Sequence, residues 1–157
     1  MRRWLALGAL VALSAAAAAA GGRSAAAACK PGIHKVGKVT YHVFCGPATA
    51  SVKLGGKTYT FRGGTCLRAG ITRVFTISIG KLTIGKGKPR YSYLGVTVPS
   101  ANHDGTYRRA VVTWAIGGKR YSLYNVELRL TNHQTRGTFS GRAVGKRGTV
   151  TGTFRCK

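Results

Sequence analysis

The chain has only two carboxylate side chains, Asp104 and Glu127. Glycoside hydrolysis by the usual route needs two carboxyl groups flanking one bond. Glu127 lies at a polar position of an alternating segment, and Asp104 lies in Asn-His-Asp-Gly, the composition of a β-turn. We therefore interpret Asp104 as a turn former, and the sequence does not predict a glycosidase.

Other catalytic arrangements are not indicated either. His103 beside Asp104 does not form a catalytic pair by adjacency, and the G-x-S-x-G nucleophile motif is absent from the sequence. His34 and His42 flank a predicted strand, but two imidazoles without further ligands make a poor metal site. The sequence predicts a protein that is not an enzyme and has no metal or other cofactor.

The most concentrated basic feature is a Gly-Lys-Gly-Lys stretch at residues 85–88. It lacks the strand and helix context of a phosphate-binding loop. Basic side chains next to aromatic rings can contact anions. We therefore assign a candidate anion contact to Lys86, Lys88, Arg90 and Tyr91; the alternative is an exposed loop with core tyrosines behind it.

The whole chain is strongly basic, with 26 Lys and Arg against two acidic residues and a formal net charge of +24. Such a surface attracts anionic partners, which here means cell-wall polymers, acidic glycans or anionic lipid headgroups. The alternative is a solvated basic surface, because the charges are spread along the chain. No specific role in nucleic-acid binding is predicted.

Four cysteines, at positions 29, 45, 66 and 156, allow three disulfide connectivities. Their spacing does not match the short C-x2-4-C pattern of zinc sites. We favour Cys29–Cys45, which closes a small N-terminal segment, and Cys66–Cys156, which ties the chain end to the first hairpin. Lipidation of Cys29 is an alternative, because residues 26–29 (Ala-Ala-Ala-Cys) loosely match a lipobox.

The N-terminus has the organisation of a signal peptide: Arg2 and Arg3 precede an apolar run at residues 4–20. Cleavage after Ala20 or Ala28 is compatible with the small residues there. The apolar run is shorter than the roughly 20 residues of a membrane span. We predict a signal peptide at residues 1–28, export by the general or the twin-arginine route, and no span after cleavage.

The rest of the chain alternates apolar and polar residues with the period of two that is typical of strands. Gly-Gly pairs at 55–56 and 117–118 predict tight hairpins, and a bulge near Asn125 reconciles the alternation of the strand at 119–131. Helical periodicity is not sustained over ten residues. These patterns predict an all-β fold, an antiparallel β-sandwich of about eight to nine short strands. We assign residues 48–157 to the sandwich domain and residues 29–47 to a disulfide-closed extension that precedes it.

Several motifs follow one another in the second part of the chain. They are V-x-L-G-G-K-T-Y-T-F at 52–61, Cys66, F-x-I-x-I-G at 75–80, a segment ending in G-V-T at 97, D-G-T-Y at 104–107, and the closing G-T-F-S-G-x-A and G-T-V-T-G-T-F-x-C. In these motifs the chain resembles the LpqH-like family of actinobacterial envelope lipoproteins.

The resemblance implies a secreted or surface β-sandwich with a bridge equivalent to Cys66–Cys156. It also implies a surface antigen or adhesion-related protein in which an attached lipid carries much of the activity. The strong basic charge and the 29–45 segment lie outside the family's pattern. Our leading hypothesis is a non-catalytic exported envelope protein that associates with anionic polymers; the alternative is a secreted binding module, an adhesin or inhibitor, for a specific protein.

Overall fold

The computed structural model describes residues 28–68, 73–145 and 148–157, which form strands and their connections. Residues 1–27 of the predicted signal peptide lie outside the described residues, so export stays a prediction. Among the residues that the structure describes, no helix has the length and apolar character needed to cross a membrane.

In the described ranges the chain forms 11 strands, rather than the eight to nine expected from the sequence. They are β1 (Gly32–Val36), β2 (Val39–Val43), β3 (Thr49–Leu54), β4 (Lys57–Arg62), β5 (Gly64–Leu67), β6 (Val74–Ile84), β7 (Tyr93–Pro99), β8 (Gly105–Ile116), β9 (Lys119–Thr131), β10 (Arg136–Arg142) and β11 (Thr149–Arg155).

The predicted strand count was wrong because β1 and β5 are stabilised by pairing rather than by their own composition. β1 pairs with β2, and the four-residue β5 pairs with β6. β6 continues through Gly80, which adopts a φ of 89°. The first half of β6 pairs with β7, and its second half pairs with β2.

The strands form one antiparallel sheet in the order β1-β2-β6-β7-β8-β9-β10-β11-β3-β4, with β5 added to β6. The sheet folds over itself, so that Pro47, just before β3, forms a bridge with Gly64 at the start of β5. The ring centroids of Phe75 on β6 and Phe154 on β11 lie 5.9 Å apart across the interior. The predicted all-β, sandwich-like architecture is therefore confirmed.

Two aromatic rings and two glycines interlock where β10 meets β11. Gly152 pairs with Phe139, and Gly137 pairs with Phe154. A Cβ atom at either glycine would collide with the ring of its partner. The glycines therefore leave room for rings that fill the core, and both phenylalanines are buried.

The predicted local features of the long hairpins are confirmed. Gly55-Gly56 and Gly117-Gly118 all have positive φ and connect β3 to β4 and β8 to β9. Val112 pairs with Leu123 while Ala110 pairs with Val126, so β9 carries one extra residue there. Asn125 has a φ of 52° within this bulge.

The structure contains the disulfides Cys29–Cys45 and Cys66–Cys156, with Cα–Cα distances of 5.8 and 5.7 Å. Both favoured pairings are thus confirmed. A sulfur in a disulfide cannot also carry a lipid, so lipidation at Cys29 would require a protein that lacks the Cys29–Cys45 bridge. Stable disulfides are typical of proteins in oxidising compartments.

Candidate functional site

The basic loop that we singled out from the sequence connects β6 to β7. Lys86, Lys88 and Arg90 are all exposed in it. The loop is held by its backbone: the Arg90 N–H donates to Thr83 Oγ1 at 3.1 Å, and the Arg120 guanidinium donates to the Thr83 and Gly85 carbonyls at 3.3 Å. These hydrogen bonds hold the backbone of the loop, but they do not bring its basic side chains together at one point.

Tyr91, the aromatic member of that candidate site, packs elsewhere. Its ring lies 4.5 Å from the ring of Tyr41 on β2, and Lys81 Nζ lies 5.5 Å from the Tyr91 centroid. Within the described residues, no hydrogen bond or ring contact joins Lys86 or Lys88 to Tyr91. The structure therefore separates Tyr91 from the two loop lysines and places it against the N-terminal hairpin.

Asp104 supports the turn that links β9 to β10. Its carboxylate accepts hydrogen bonds from the backbone N–H groups of Gln134 at 2.7 Å and His133 at 2.9 Å. The Gln134 bond is the main reason that the pKa of Asp104 lies below its ordinary value of 3.8. Asn132, His133 and Gln134 all have φ between 54 and 59°, so this carboxylate fixes an unusual backbone conformation.

Glu127 lies on the outer face of β9 and forms an exposed ion pair with Arg108 at 3.5 Å. Both acidic residues thus have partners in structural contacts.

The histidines His34 and His42 do not lie together. His34 pairs with Tyr41 while His42 pairs with Ile33, which places the two histidines on opposite faces of the hairpin. Within the described ranges, no group of three potential ligands could hold a metal ion.

Polar side chains form straight rows across the outer face of β4, β3, β11, β10 and β9. We call one of these lines the arginine row, and its members are successive cross-strand partners: Arg62, Thr49, Arg155, Arg136 and Thr131. The neighbouring strands are about 4.8 Å apart. The row therefore extends about 19 Å and presents three guanidinium groups to solvent.

A second line, the hydroxyl row, lies two residues further along each strand. It consists of Thr60, Ser51, Thr153, Thr138, Arg129 and Thr106. The hydroxyls of Ser51 and Thr153 are 3.0 Å apart and share a hydrogen bond. A shallow groove of about 680 Å³ runs over this row and includes Lys53 and Glu127. The two rows together form a face that is rich in hydrogen-bond donors.

Arg136 and Arg155 are directly opposite each other on β10 and β11. Like charges in this position destabilise a sheet. They border a depression of about 440 Å³ that we call the guanidinium pocket, and its cationic or titratable lining residues are Arg68, His133, Arg136, Arg155 and Lys157. No acidic side chain is among its described lining residues. The structure thus places four basic side chains, Arg68, Arg136, Arg155 and Lys157, around one cavity.

Sequence reasoning missed this face. Its arginines are separated by up to 93 positions, and none forms a charge cluster along the chain. The signal was the alternation itself, since each arginine takes an exposed position next to a buried residue: Phe61 for Arg62, Gly137 for Arg136 and Phe154 for Arg155. What the alternation could not supply was the sheet order, in which β11 lies between β10 and β3.

Comparisons of this chain with protein-family models, curated proteins and solved structures find no match. The resemblance to LpqH-like lipoproteins therefore stays a prediction.

Proposed function

We propose that this chain is a non-catalytic, exported protein of the cell envelope, and that the arginine and hydroxyl rows bind an anionic polymer. The carrying observation is the placement of Arg62, Arg155 and Arg136 on one outward line without an acidic side chain between them. Guanidinium groups pair strongly with phosphate, sulfate and carboxylate groups.

The hydroxyl row supports the same proposal. An anionic envelope polymer that contains sugar or polyol units offers hydroxyl groups beside its acidic groups. Threonine and serine hydroxyls can donate to and accept from such groups. A polymer lying across the strands would therefore meet guanidinium groups along one row and hydroxyls along the next.

Residue chemistry also supports a non-catalytic role. The chain has two carboxylates, and both already have structural partners: Asp104 holds the β9–β10 turn and Glu127 pairs with Arg108. The four cysteines form two disulfides, so a thiolate nucleophile is not available from them. The two disulfides further support an extracytoplasmic location, where such bonds persist.

The test is the binding of the oxidised protein to dextran sulfate, with neutral dextran of equal length as the control. If three cations contact the polymer, the affinity should fall by roughly 20-fold between 50 and 200 mM salt. An affinity that is unchanged over this range, or equal binding to neutral dextran, would contradict the proposal.

A matched pair of triple variants tests where the polymer binds. Arg62→Gln/Arg136→Gln/Arg155→Gln and Lys86→Gln/Lys88→Gln/Arg90→Gln remove the same number of charges. At about 1 kcal/mol per contacting cation, the first should weaken binding by about 100-fold at low salt and the second by much less. Equal losses would instead indicate diffuse attraction to the net charge, and the rows would not be the site.

A second candidate function is the binding of a specific protein by the N-terminal hairpin. Ile33 and Ile84 are 69% and 42% exposed, and the register places them on the same face of the β1-β2-β6 segment. Exposed apolar side chains grouped on one face favour protein contacts. Binding to a protein partner that persists at high salt and is lost in Ile33→Ser would favour this candidate.

A further inference from the structure

The guanidinium pocket is assembled by the Cys66–Cys156 disulfide. Arg68 follows Cys66 by two residues at the end of β5, whereas Arg155 and Lys157 flank Cys156 at the end of β11. β5 and β11 are not neighbours in the sheet, so the covalent bond brings Arg68 to the other two cations.

The opposite wall of the pocket comes from the β9–β10 turn. Asp104 holds that turn by accepting from two of its backbone N–H groups. This β9–β10 turn places His133 beside the pocket, and β10 begins at Arg136 directly after the turn. The pocket is therefore built on a disulfide on one side and a carboxylate-fixed turn on the other.

The charges around this pocket are unbalanced. The side chains of Arg68, Arg136, Arg155 and Lys157 carry four positive charges at neutral pH, and the main-chain oxygens of Lys157, the last residue of the structure, offset only one of them. The Arg155 guanidinium donates to the main-chain oxygen of Lys157, which uses only one of its five N–H donors. Arg136 faces Arg155 directly across the strands. A bound anion of high charge would remove this repulsion.

Resting on the proposed function, we infer that the guanidinium pocket binds a phosphomonoester group carried by the anionic polymer. A carboxylate has two oxygens in one plane, and a single guanidinium fork can engage both of them. A phosphomonoester has three non-bridging oxygens arranged around the phosphorus, so Arg136 and Arg155 can engage it together while Arg68 or Lys157 contacts the third oxygen. A phosphomonoester thus matches the number of these cations better than a carboxylate does.

The experiment compares binding of the oxidised protein to polyphosphoserine and to polyglutamate at equal total charge. The wild-type protein should bind polyphosphoserine at least about tenfold more tightly, since the additional charge-assisted bonds depend on the third non-bridging oxygen. Competition with inorganic phosphate then identifies the source of the bound phosphate group. Displacement of the polymer by millimolar inorganic phosphate would show that the free ion is sufficient for binding. Absence of displacement would show that the phosphate group has to be attached to a polymer.

Two double variants with the same charge change locate the preference. Arg68→Gln/Arg155→Gln should abolish the preference for polyphosphoserine. Arg62→Gln/Arg129→Gln, outside the pocket, should weaken the binding of both polymers and preserve the preference. Equal wild-type affinities for the two polymers, with binding still dependent on the arginine row, would overturn the phosphate assignment and leave the proposed function standing. Absence of binding to either polymer would overturn both.

Discussion

The two disulfides close loops of very different length, and this difference predicts how much each stabilises the fold. Cys66 and Cys156 are separated by 90 positions, whereas Cys29 and Cys45 are separated by 16. A cross-link stabilises a protein mainly by restricting its unfolded chain, and the restriction grows with the logarithm of loop length.

The chain-entropy relation converts these lengths into free energies. It gives about 4.6 kcal/mol for the long bridge and about 3.1 kcal/mol for the short one at 25 °C. The short bridge acts on the β1–β2 hairpin, which pairs with the main sheet only through the second half of β6. Partial opening of that hairpin would reduce its effect on global unfolding, so 3.1 kcal/mol is an upper value.

The assay uses two proteins that each keep one bridge, Cys29→Ala/Cys45→Ala and Cys66→Ala/Cys156→Ala. The free energy of unfolding is measured by urea titration before and after reduction. Because each comparison uses one sequence, the loss of packing caused by the alanines cancels. Reduction should cost the first protein about 4.6 kcal/mol and the second at most about 3.1 kcal/mol.

The result that would refute this reasoning is an equal or larger loss on reducing the short bridge. It would mean that the hairpin, rather than the closure between β5 and β11, limits unfolding. A first protein that keeps its stability on reduction would likewise show that the sheet does not need the bridge to hold its two ends together.

Two further perturbations test the fold around the candidate site. Asp104→Asn should lower the urea midpoint at about pH 6. Because the folded-state pKa of Asp104 lies below 3.8, the stability advantage of the wild-type protein should be complete well above pH 3.8 and should disappear as the pH falls through the lowered pKa. A difference in urea midpoint that persists at about pH 2 would contradict this expectation. Gly152→Ala should lower the free energy of unfolding, measured by urea titration, by about 1–3 kcal/mol, because the added methyl group would collide with the Phe139 ring. Gly141→Ala is the control and should lower it less, because the nearest side-chain atom to its added methyl group is a Leu123 methyl carbon at 3.1 Å.

Local features of this fold could be predicted because their signals are local. Gly-Gly pairs require positive φ at adjacent residues, and alternation fixes the buried face of each strand. The bulge at Asn125 was also accessible, because the alternation changes phase within β9. Gly80 has a role that local sequence signals do not reveal: a Cβ atom there would collide with the backbone of Ser92, so the glycine allows close contact between two chain segments.

The candidate site could not be predicted, because its residues meet only through non-local pairing. Arg62, Arg136 and Arg155 lie on three strands whose adjacency depends on β11 inserting between β10 and β3. Charge density along the sequence favoured the Lys86–Lys88 loop, where cations are close in sequence. In the folded protein, cross-strand register places Arg136 and Arg155 opposite each other although they are 19 positions apart.

The same covalent bond that closes the fold also determines where the guanidinium pocket can exist. Without the Cys66–Cys156 disulfide, β5 keeps its pairing with β6 and the bridge from Gly64 to Pro47, but Arg68 loses its covalent tether to Arg155 and Lys157. With 26 basic and two acidic residues, the chain has too few internal carboxylates to hold such cations together. The pocket therefore depends on an oxidised disulfide, and phosphate selectivity in the proposed function should be restricted to an oxidising compartment.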